Sequence, residues 1–266
     1  DLIEQIDIGG PSLVRAASKN FRDVMIVVSP HDYDGVIAEL DKPAGPSMAF
    51  RFDLARKAFE HTGAYDTAIA QTLGEVTVEG DTFSRPAPAA ASAPEHLVIR
   101  GSKLRDLRYG ENPHQPAAWY SLGHAGLGAP AILQGKELSF TNLLDLDAAA
   151  RIALEFDEPA AAVIKHTNPC GVATGSTIAD AYVRAREADA LSAFGGIIGL
   201  NRALDEDTAK AIVSTFIECV IAPKVEDAAR AILATKANLR VIVADFRALS
   251  DTREYRSILG AMLVQE

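Results

Sequence analysis

Only two cysteines, Cys170 and Cys219, occur in 266 residues. That is too few for a disulfide framework or a four-thiolate metal site, and it points to a reducing, cytoplasmic compartment. No stretch approaches the roughly 18 consecutive apolar residues that a transmembrane helix needs. Nor does a basic start lead into an apolar signal segment, so no membrane partner is expected. Basic charge is scarce as well: 26 Lys and Arg stand against 36 Asp and Glu, a formal balance of −10. A nucleic-acid surface would show a basic stripe, and the sequence has none, which argues against nucleic acid as a partner. A small anionic ligand held by a local basic cluster remains compatible with this charge. Phosphate-loop and dinucleotide fingerprints are missing too: there is no G-x-x-x-x-G-K-[ST], and no G-x-G-x-x-G follows a strand.

What is there is an alternation of helices and strands, in a chain long enough for about two domains. Residues 2–19 read as a short loop and an amphipathic helix, followed by Val24-Met-Ile-Val-Val28, an apolar strand closed by Ser29-Pro30. A strand apolar on both faces needs neighbours, and nothing before it supplies one, so the amino-terminal half of this domain is expected to be absent from the chain. Helices follow near Asp32-Tyr33-Asp34 and over 47–73, the latter with a break at Gly63. The Pro- and Ala-rich run Ser84-Arg-Pro-Ala-Pro-Ala-Ala-Ala-Ser-Ala-Pro94 reads as a linker. Beyond it come strands at 97–100, 161–165, 196–200, 219–222 and 239–243, and helices at 143–156, 178–188, 205–216 and 225–234. This order predicts an α/β fold with a mostly parallel sheet covered on both faces. Residues 255–264 begin one further element. The domain limits drawn are 1–76, a linker over 77–96, and 97–266.

The residues that carry chemistry cluster in a few short runs. In Ala161-Ala-Val-Ile-Lys165-His166-Thr-Asn168-Pro169-Cys170-Gly171, an apolar strand delivers a lysine and a histidine side by side onto a turn punctuated by Pro and Gly, at the strand end where open α/β sheets bind ligands. Lysine stabilises an anion or developing negative charge, and histidine exchanges a proton near neutrality. In Leu107-Arg108-Tyr109-Gly110-Glu111-Asn112-Pro113-His114-Gln115, arginine offers a planar fork for phosphate or carboxylate and tyrosine a ring to stack on a heterocycle. Gln134-Gly-Lys136-Glu137-Leu-Ser139-Phe140-Thr141-Asn142-Leu-Leu-Asp145 forms a polar turn before a helix capped by Thr141 or Asn142. The paired glycines of Ser192-Ala-Phe194-Gly195-Gly196 imply close backbone approach of a chain segment or ligand. Near the start, Ile6-Asp7-Ile8-Gly9-Gly10-Pro11 precedes a helix beginning at Pro11 or Ser12, whose exposed N–H groups suit a phosphate. Lys19 lies twelve residues after Asp7, and the two form an acid/base pair if both face one cleft. Zinc is not expected: Asn168 stands where a deaminase has the glutamate of H-x-E, and Cys170 has no partner three positions on.

Taken together, these runs, in this order and spread over essentially the whole chain, resemble the bifunctional purine-biosynthesis family that joins phosphoribosylaminoimidazolecarboxamide (AICAR) formyltransferase to IMP cyclohydrolase. The resemblance implies a partial methylglyoxal-synthase-like, Rossmann-type domain followed by a cytidine-deaminase-like α/β domain, the first half of the formyltransferase. It implies 10-formyltetrahydrofolate as co-substrate, AICAR, FAICAR and IMP as nucleotide partners, and a cytoplasmic homodimer. By the same resemblance His166 is the formyl-transfer acid/base and Lys165 its charge-stabilising neighbour. Arg108 and Tyr109 hold the AICAR nucleotide with Asn142 nearby; Lys19 serves ring closure, and Asp7 and Ile8 contact the nucleotide in the first domain. Family members also carry an Arg/Lys-Thr-Leu-His-Pro loop, an Asn-Leu-Tyr-Pro segment and a second deaminase-like half. These are absent here, and some relatives have Asp where Gly196 stands. The chain is therefore expected to be a fragment. A competing reading is a catalytically incomplete nucleotide-binding or assembly module, and a third is a zinc deaminase relative.

Overall fold

The computed structural model of the chain describes residues 2–85, 97–246 and 253–265, and divides into two compact units, Asp1–Leu97 and Val98–Glu266. In the first unit a 3-10 turn leads into helix α1 (Gly9–Lys19), followed by α2 (Tyr33–Leu40) and the 27-residue α3 (Met48–Gly74). A small hairpin, β1 (Thr77–Glu79) and β2 (Thr82–Ser84), turns at Gly80, whose φ is +60°. This hairpin occupies the start of the expected linker, and residues 86–96 of that linker lie outside the described residues.

Two expectations for this unit fail. Residues 24–28 belong to no regular element and pair with no strand among the described residues, and Val24 is 40% exposed. A strand exists through its ladder, and apolar composition does not replace a missing neighbour. The break at Gly63 is also absent: α3 runs straight through. One glycine costs about 1 kcal/mol relative to alanine. That is too little to interrupt a helix capped at its start by Ser47, whose hydroxyl accepts the Phe50 N–H at 3.2 Å, and packed along α1 through Leu54, Ala55 and Ala58.

Residues 97–100, where a strand was expected, are irregular and span the boundary between the units. Pairing starts only with β3 (Ser102–Leu107) against β4 (Ala117–Ser121). Then come β5 (Ala131–Gln134), α4 (Phe140–Leu154), β6 (Ala160–Lys165), β7 (Asn168–Thr174), α5 (Ile178–Ala188), the single turn α6 (Ala190–Ala193), β8 (Ile197–Leu200), α7 (Glu206–Val213), β9 (Cys219–Ala222), α8 (Asp227–Leu233) and β10 (Arg240–Val243). The last element is a separate hairpin of β11 (Glu254–Ile258) and β12 (Ala261–Gln265).

Six strands form one sheet in the order β5-β10-β9-β8-β6-β7. It is mixed: β8, β9 and β10 are parallel, whereas β6 is antiparallel to both its neighbours and β5 is antiparallel to β10. The expectation of a mostly parallel sheet fails because β6 returns at once into β7 through a two-residue turn, which only antiparallel strands permit. From β7 the chain crosses over β6 by way of α5 and enters β8.

Side chains alternate across this sheet with period two. Ala161, Val163, Ile198, Leu200, Val220 and Val241 pack beneath α5, α7 and α8. Ala162, Ile164, Ile197, Cys219, Ile221 and Ile242 pack beneath α4, together with Leu107 and Trp119. Two glycines set the helix spacing. A Cβ on Gly199 would lie 2.3 Å from the Ala149 carbonyl carbon of α4, and one on Gly171 1.9 Å from the Ala185 oxygen of α5. Each helix therefore rests directly on backbone.

Candidate active site

Strand β6 is buried residue after residue until Lys165, which is half-buried, and His166, which is exposed. Because β6 runs antiparallel to β8, with Ile164 opposite Ile197, its carboxyl end lies beside the amino ends of the parallel strands. The expected location, at the carboxyl ends of the parallel strands, is thereby corrected. The antiparallel return of β6 moves the Lys-His pair to the opposite edge of the sheet.

Lys165 continues the parity of Ala161 and Val163. Its ammonium donates to the carbonyls of Ser192 (3.4 Å) and Phe194 (3.0 Å). A lysine has three donors, so one N–H has no protein acceptor among the described residues. The segment it holds is the Ser-Ala-Phe-Gly-Gly run. Gly195 adopts φ +75° and donates its N–H to Phe216 O at 2.8 Å, and a Cβ on Gly196 would crowd Ala193 O and Ile164 O at 3.0 and 3.1 Å. The close approach read from these glycines is therefore made by neighbouring chain segments.

His166 and Thr167 form the two-residue turn between β6 and β7, with φ +55° and +61°. This is the left-handed region, which hairpin turns of this type usually reserve for Gly, Asn or Asp. It costs roughly 1–2 kcal/mol for an ordinary residue, and threonine, being β-branched, is a genuine outlier there. Three hydrogen bonds hold the turn. The Thr167 hydroxyl and the Asn168 amide both donate to His166 O at 2.7 Å, and the Thr167 N–H donates to an Asp145 carboxylate oxygen at 2.6 Å. Asn168-Pro169-Cys170-Gly171 thus belongs to a strand rather than the expected loop, and Pro169 is tolerated because β7 is an edge.

Asp145 sits on α4, one turn after Asn142. The cap of that helix is Ser139, not Thr141 or Asn142. Ser139 Oγ accepts the Asn142 N–H at 3.2 Å, and Asn142 Oδ1 accepts the Ser139 N–H at 3.1 Å, a reciprocal capping box. The remaining amide N–H of buried Asn142 reaches Glu218 Oε2 at 3.4 Å, and Arg240 lies 3.9 Å from the same oxygen. Arg240 also donates to Glu137 O at 3.0 Å, and Gly135, at φ +106°, lets the Gln-Gly-Lys-Glu turn pass against Arg240, where a Cβ would fall 2.5 Å from its Cα. Burial disfavours the thiolate at both nearby cysteines. Burial pushes Cys219 up to about 12, and burial with the Asp189 charge raises Cys170.

The Arg108–Tyr109 run leaves β3 at Leu107, which is buried in the same cluster as Ile164 and Leu146. The loop closes on itself: the Gly110 N–H donates to Gln115 O at 2.7 Å and the Asn112 N–H to the Gln115 side chain at 2.8 Å. The Arg108 guanidinium lies 5.3 Å from the centre of the Tyr109 ring. Among the described residues no hydrogen bond or ion pair joins this loop to Lys165 or His166. What they share is the core beneath.

In the first unit Asp7 and Lys19 stand at opposite ends of α1, which a rise of 1.5 Å per residue places roughly 15 Å apart. No hydrogen bond or ion pair joins them among the described residues. Helix α1 begins at Gly9, earlier than the expected Pro11 or Ser12, and its positive end is already met by the Asp7 carboxylate, which accepts the Gly10 N–H at 3.1 Å. The Asp7 N–H donates to the Tyr65 hydroxyl of α3 at 2.8 Å. Ile8 is 71% exposed. Lys19 is exposed at the rim of an open hollow of about 550 Å³, walled by Phe21, Phe52, Phe59 and Arg56.

Glu218 and Tyr65 lie outside every motif read from the sequence, and Asp145 closes the Gln134–Asp145 run without a role assigned to it. Asp145 carried a weak signal, since its i,i+3 spacing from Asn142 puts both on one helix face. Tyr65 and Glu218 carried none, because their partners lie 58 and 76 residues away. No three His, Cys, Asp or Glu side chains converge as a metal site among the described residues.

Residues 17–266 match the family model described as AICARFT/IMPCHase bienzyme. The chain is 49% identical over 270 residues to the bifunctional purine biosynthesis protein PurH of Cyanothece sp. (strain PCC 7425 / ATCC 29141), covering 100% of this chain and 51% of that protein. It is 47% identical over 274 residues to PurH of Sorangium cellulosum (strain So ce56), covering 100% and 52%. With PurH of Anaeromyxobacter dehalogenans (strain 2CP-C) it shares 49% over 279 residues, 99% of this chain and 52% of the relative. The chain spans about half the length of the curated relatives it matches.

Proposed function

Because the chain belongs to the AICARFT/IMPCHase bienzyme family, we propose that it contributes to the last two steps of IMP synthesis. These are formyl transfer from 10-formyltetrahydrofolate to AICAR, and closure of FAICAR to IMP with loss of water. Residues 97–266 are assigned to a formyltransferase of cytidine-deaminase-like fold, residues 1–76 to a methylglyoxal-synthase-like cyclohydrolase, and 77–96 to the connection. The protein acts as a cytoplasmic homodimer.

The observation that carries this reading is the adjacency of an anchored ammonium and an exposed imidazole at the end of β6. In formyl transfer the aromatic amine of AICAR attacks the formyl carbon, which becomes tetrahedral and places negative charge on its oxygen. The uncommitted N–H of Lys165 suits that oxygen, since a donor already held in place needs no reorganisation as charge develops. His166 takes the proton released by the amine, and the carbon–nitrogen bond to the folate then breaks as that nitrogen regains a proton. Arg108 and Tyr109 hold the nucleotide, with Asn142 nearby. Lys19 serves ring closure in the first domain, and Asp7 and Ile8 contact the nucleotide there.

Two measurements test this. AICAR and IMP are titrated against this chain alongside a formylation assay, where binding without turnover would leave a nucleotide-binding or assembly role instead. In the gene's full product, His166→Ala is expected to lower formyl transfer at least about 10²-fold, the usual worth of a general acid/base, while ring closure persists. Loss of both activities together in a folded variant overturns the assignment.

A further inference from the structure

We infer that Asp145 is a positioning residue for formyl transfer, holding the His166–Thr167 turn in its left-handed conformation from beneath. This rests on the formyl-transfer reading for its consequence, though not for its geometry. Asp145 is 8% exposed. The single hydrogen bond its carboxylate makes among the described residues is the 2.6 Å bond from the Thr167 backbone N–H, and no lysine, arginine or histidine pairs with it there. A buried carboxylate left without a cation costs free energy unless a strong donor meets it, so the structure must be getting something else from this placement.

The turn above supplies the reason. His166 and Thr167 both hold positive φ, and Thr167, being β-branched, is the residue of the two that resists it most. Relaxing either residue toward negative φ would swing the Thr167 N–H away from Asp145 and redirect the imidazole at the same time. The bonds from Thr167 Oγ1 and Asn168 Nδ2 both end on His166 O, so they fix the turn from within. The bond to Asp145 is different, because it ties the turn to α4, which is itself pressed onto the sheet at Gly199. The carboxylate thus transfers the rigidity of the core to a side chain exposed at the sheet edge. Lys165, one residue earlier, is fastened on the opposite face to Ser192 and Phe194. The ammonium and the imidazole are therefore oriented by separate anchors, one on each side of the sheet.

The geometry is read without any assay, from the Thr167 amide of this chain by 1H–15N spectroscopy. A short bond to a buried carboxylate predicts a slowly exchanging amide, and Asp145→Ala is expected to speed its exchange at least about tenfold. Asp145→Asn keeps an acceptor oxygen and retains most of the protection. In the gene's full product, Asp145→Ala lowers kcat for formylation about tenfold or more with KM for AICAR within about twofold, the split expected when only orientation is lost. Asp145→Asn restores most of kcat, and ring closure is unchanged in both. Unaltered Thr167 exchange in a folded Asp145→Ala protein overturns the inference, as does a loss carried by KM or an Asn variant as impaired as Ala. Should His166→Ala leave formyl transfer intact, the functional reading falls while the amide measurement still decides the anchoring.

Discussion

Val24-Met-Ile-Val-Val28 in the first unit and Ala161-Ala-Val-Ile in the second are equally apolar runs of similar length, and they end in different states. The second is the middle of a strand paired on both sides and buried at every position; the first is irregular, partly exposed and paired with nothing described. The units as wholes differ in the same way. Among described residues 2–85 only Ser18, Leu54, Ala55, Ala58 and Thr62 are buried, all on the facing helices α1 and α3. In 97–246 both faces of a six-stranded sheet are covered, and β6, β8 and β9 are buried almost without interruption. Propensity is shared by the two runs, so what separates them is the supply of neighbours, and covering both faces of an element requires two further layers.

The largest effect expected from this difference concerns two leucines of equal burial. Leu146 of α4 is 0% and Leu54 of α3 is 1% exposed. If burial alone set the cost, truncating either to alanine would be equivalent. Leu146 lies in a cluster bounded by sheet, α4, Leu107 and Trp119, whereas Leu54 lies where α3 meets α1. A site closed on all sides relaxes less, so Leu146→Ala should fall in the upper part of the usual 2–5 kcal/mol range and Leu54→Ala in the lower. Urea unfolding followed by a probe in each unit measures both. Equal costs would show that the contrast in coverage has no energetic counterpart.

How much of this was legible in the sequence follows the same division. In the second unit four helix–strand alternations were readable almost to their bounds, because buried strands and amphipathic helices announce themselves by period. Strand direction was not readable. The turn that reverses β6 uses His166 and Thr167, without the Gly that such turns favour, and Asn-Pro and Gly just after it mimic a loop while forming an edge strand. Of the candidate site, the adjacency of Lys165 and His166 at a strand end was legible. The buried partners were not, since Asp145 reaches Thr167 across 22 residues and Asn142 reaches Glu218 across 76, and tertiary hydrogen bonds leave no local pattern. In the first unit the helices were readable, but the missing break at Gly63 shows how weak a single glycine is against a cap and a packed face.

A smaller effect separates the units by pH. Burial holds two acids of the second unit neutral: Cys219 is pushed from 9.0 up to about 12, and Tyr182 from 10.0 up to about 12. Above pH 9 the unfolded chain releases the Cys219 proton while the folded one retains it. The folded state then binds more protons than the unfolded, so stability is fully present below pH 9 and declines as pH rises toward 12. Each group contributes a slope approaching about 1.4 kcal/mol per pH unit, with Cys219 acting first and Tyr182 joining above pH 10. The resolved carboxylate shifts of the first unit run the other way. Hydrogen bonds from Lys42 and Arg56 lower Glu39 and Asp53, so any stability they give is lost at acid pH, and Asp53 is exposed enough for solvent to screen most of its share. Urea unfolding between pH 8 and 10.5 should therefore weaken the second unit alone, and Cys219→Ala should flatten the decline between pH 9 and 10. An undiminished slope in that variant would assign the alkaline loss elsewhere.

The smallest effect bears on how the first unit stands with so little buried. Leu54, Ala55, Ala58 and Thr62 all belong to α3, so the unit's packing depends on that helix remaining formed, and its amino end depends on Ser47. The Ser47 hydroxyl accepts the Phe50 N–H at 3.2 Å, while its own N–H donates to Glu39 at 2.8 Å, tying the cap to α2. Ser47→Ala removes the first bond and keeps the second, for a cost of about 1 kcal/mol. In a unit with two or three layers such a loss is absorbed, because neighbouring elements still hold the helix. Here a single facing helix does so, and the loss should spread along α3. Native-state hydrogen exchange is expected to quicken about fivefold, the factor equivalent to 1 kcal/mol, at α3 amides as far as Ala58, with β8 and β9 unaffected. Acceleration confined to Phe50 and its nearest neighbours would mean that α3 is steadied by more than its contact with α1, and the contrast between the units would shrink accordingly.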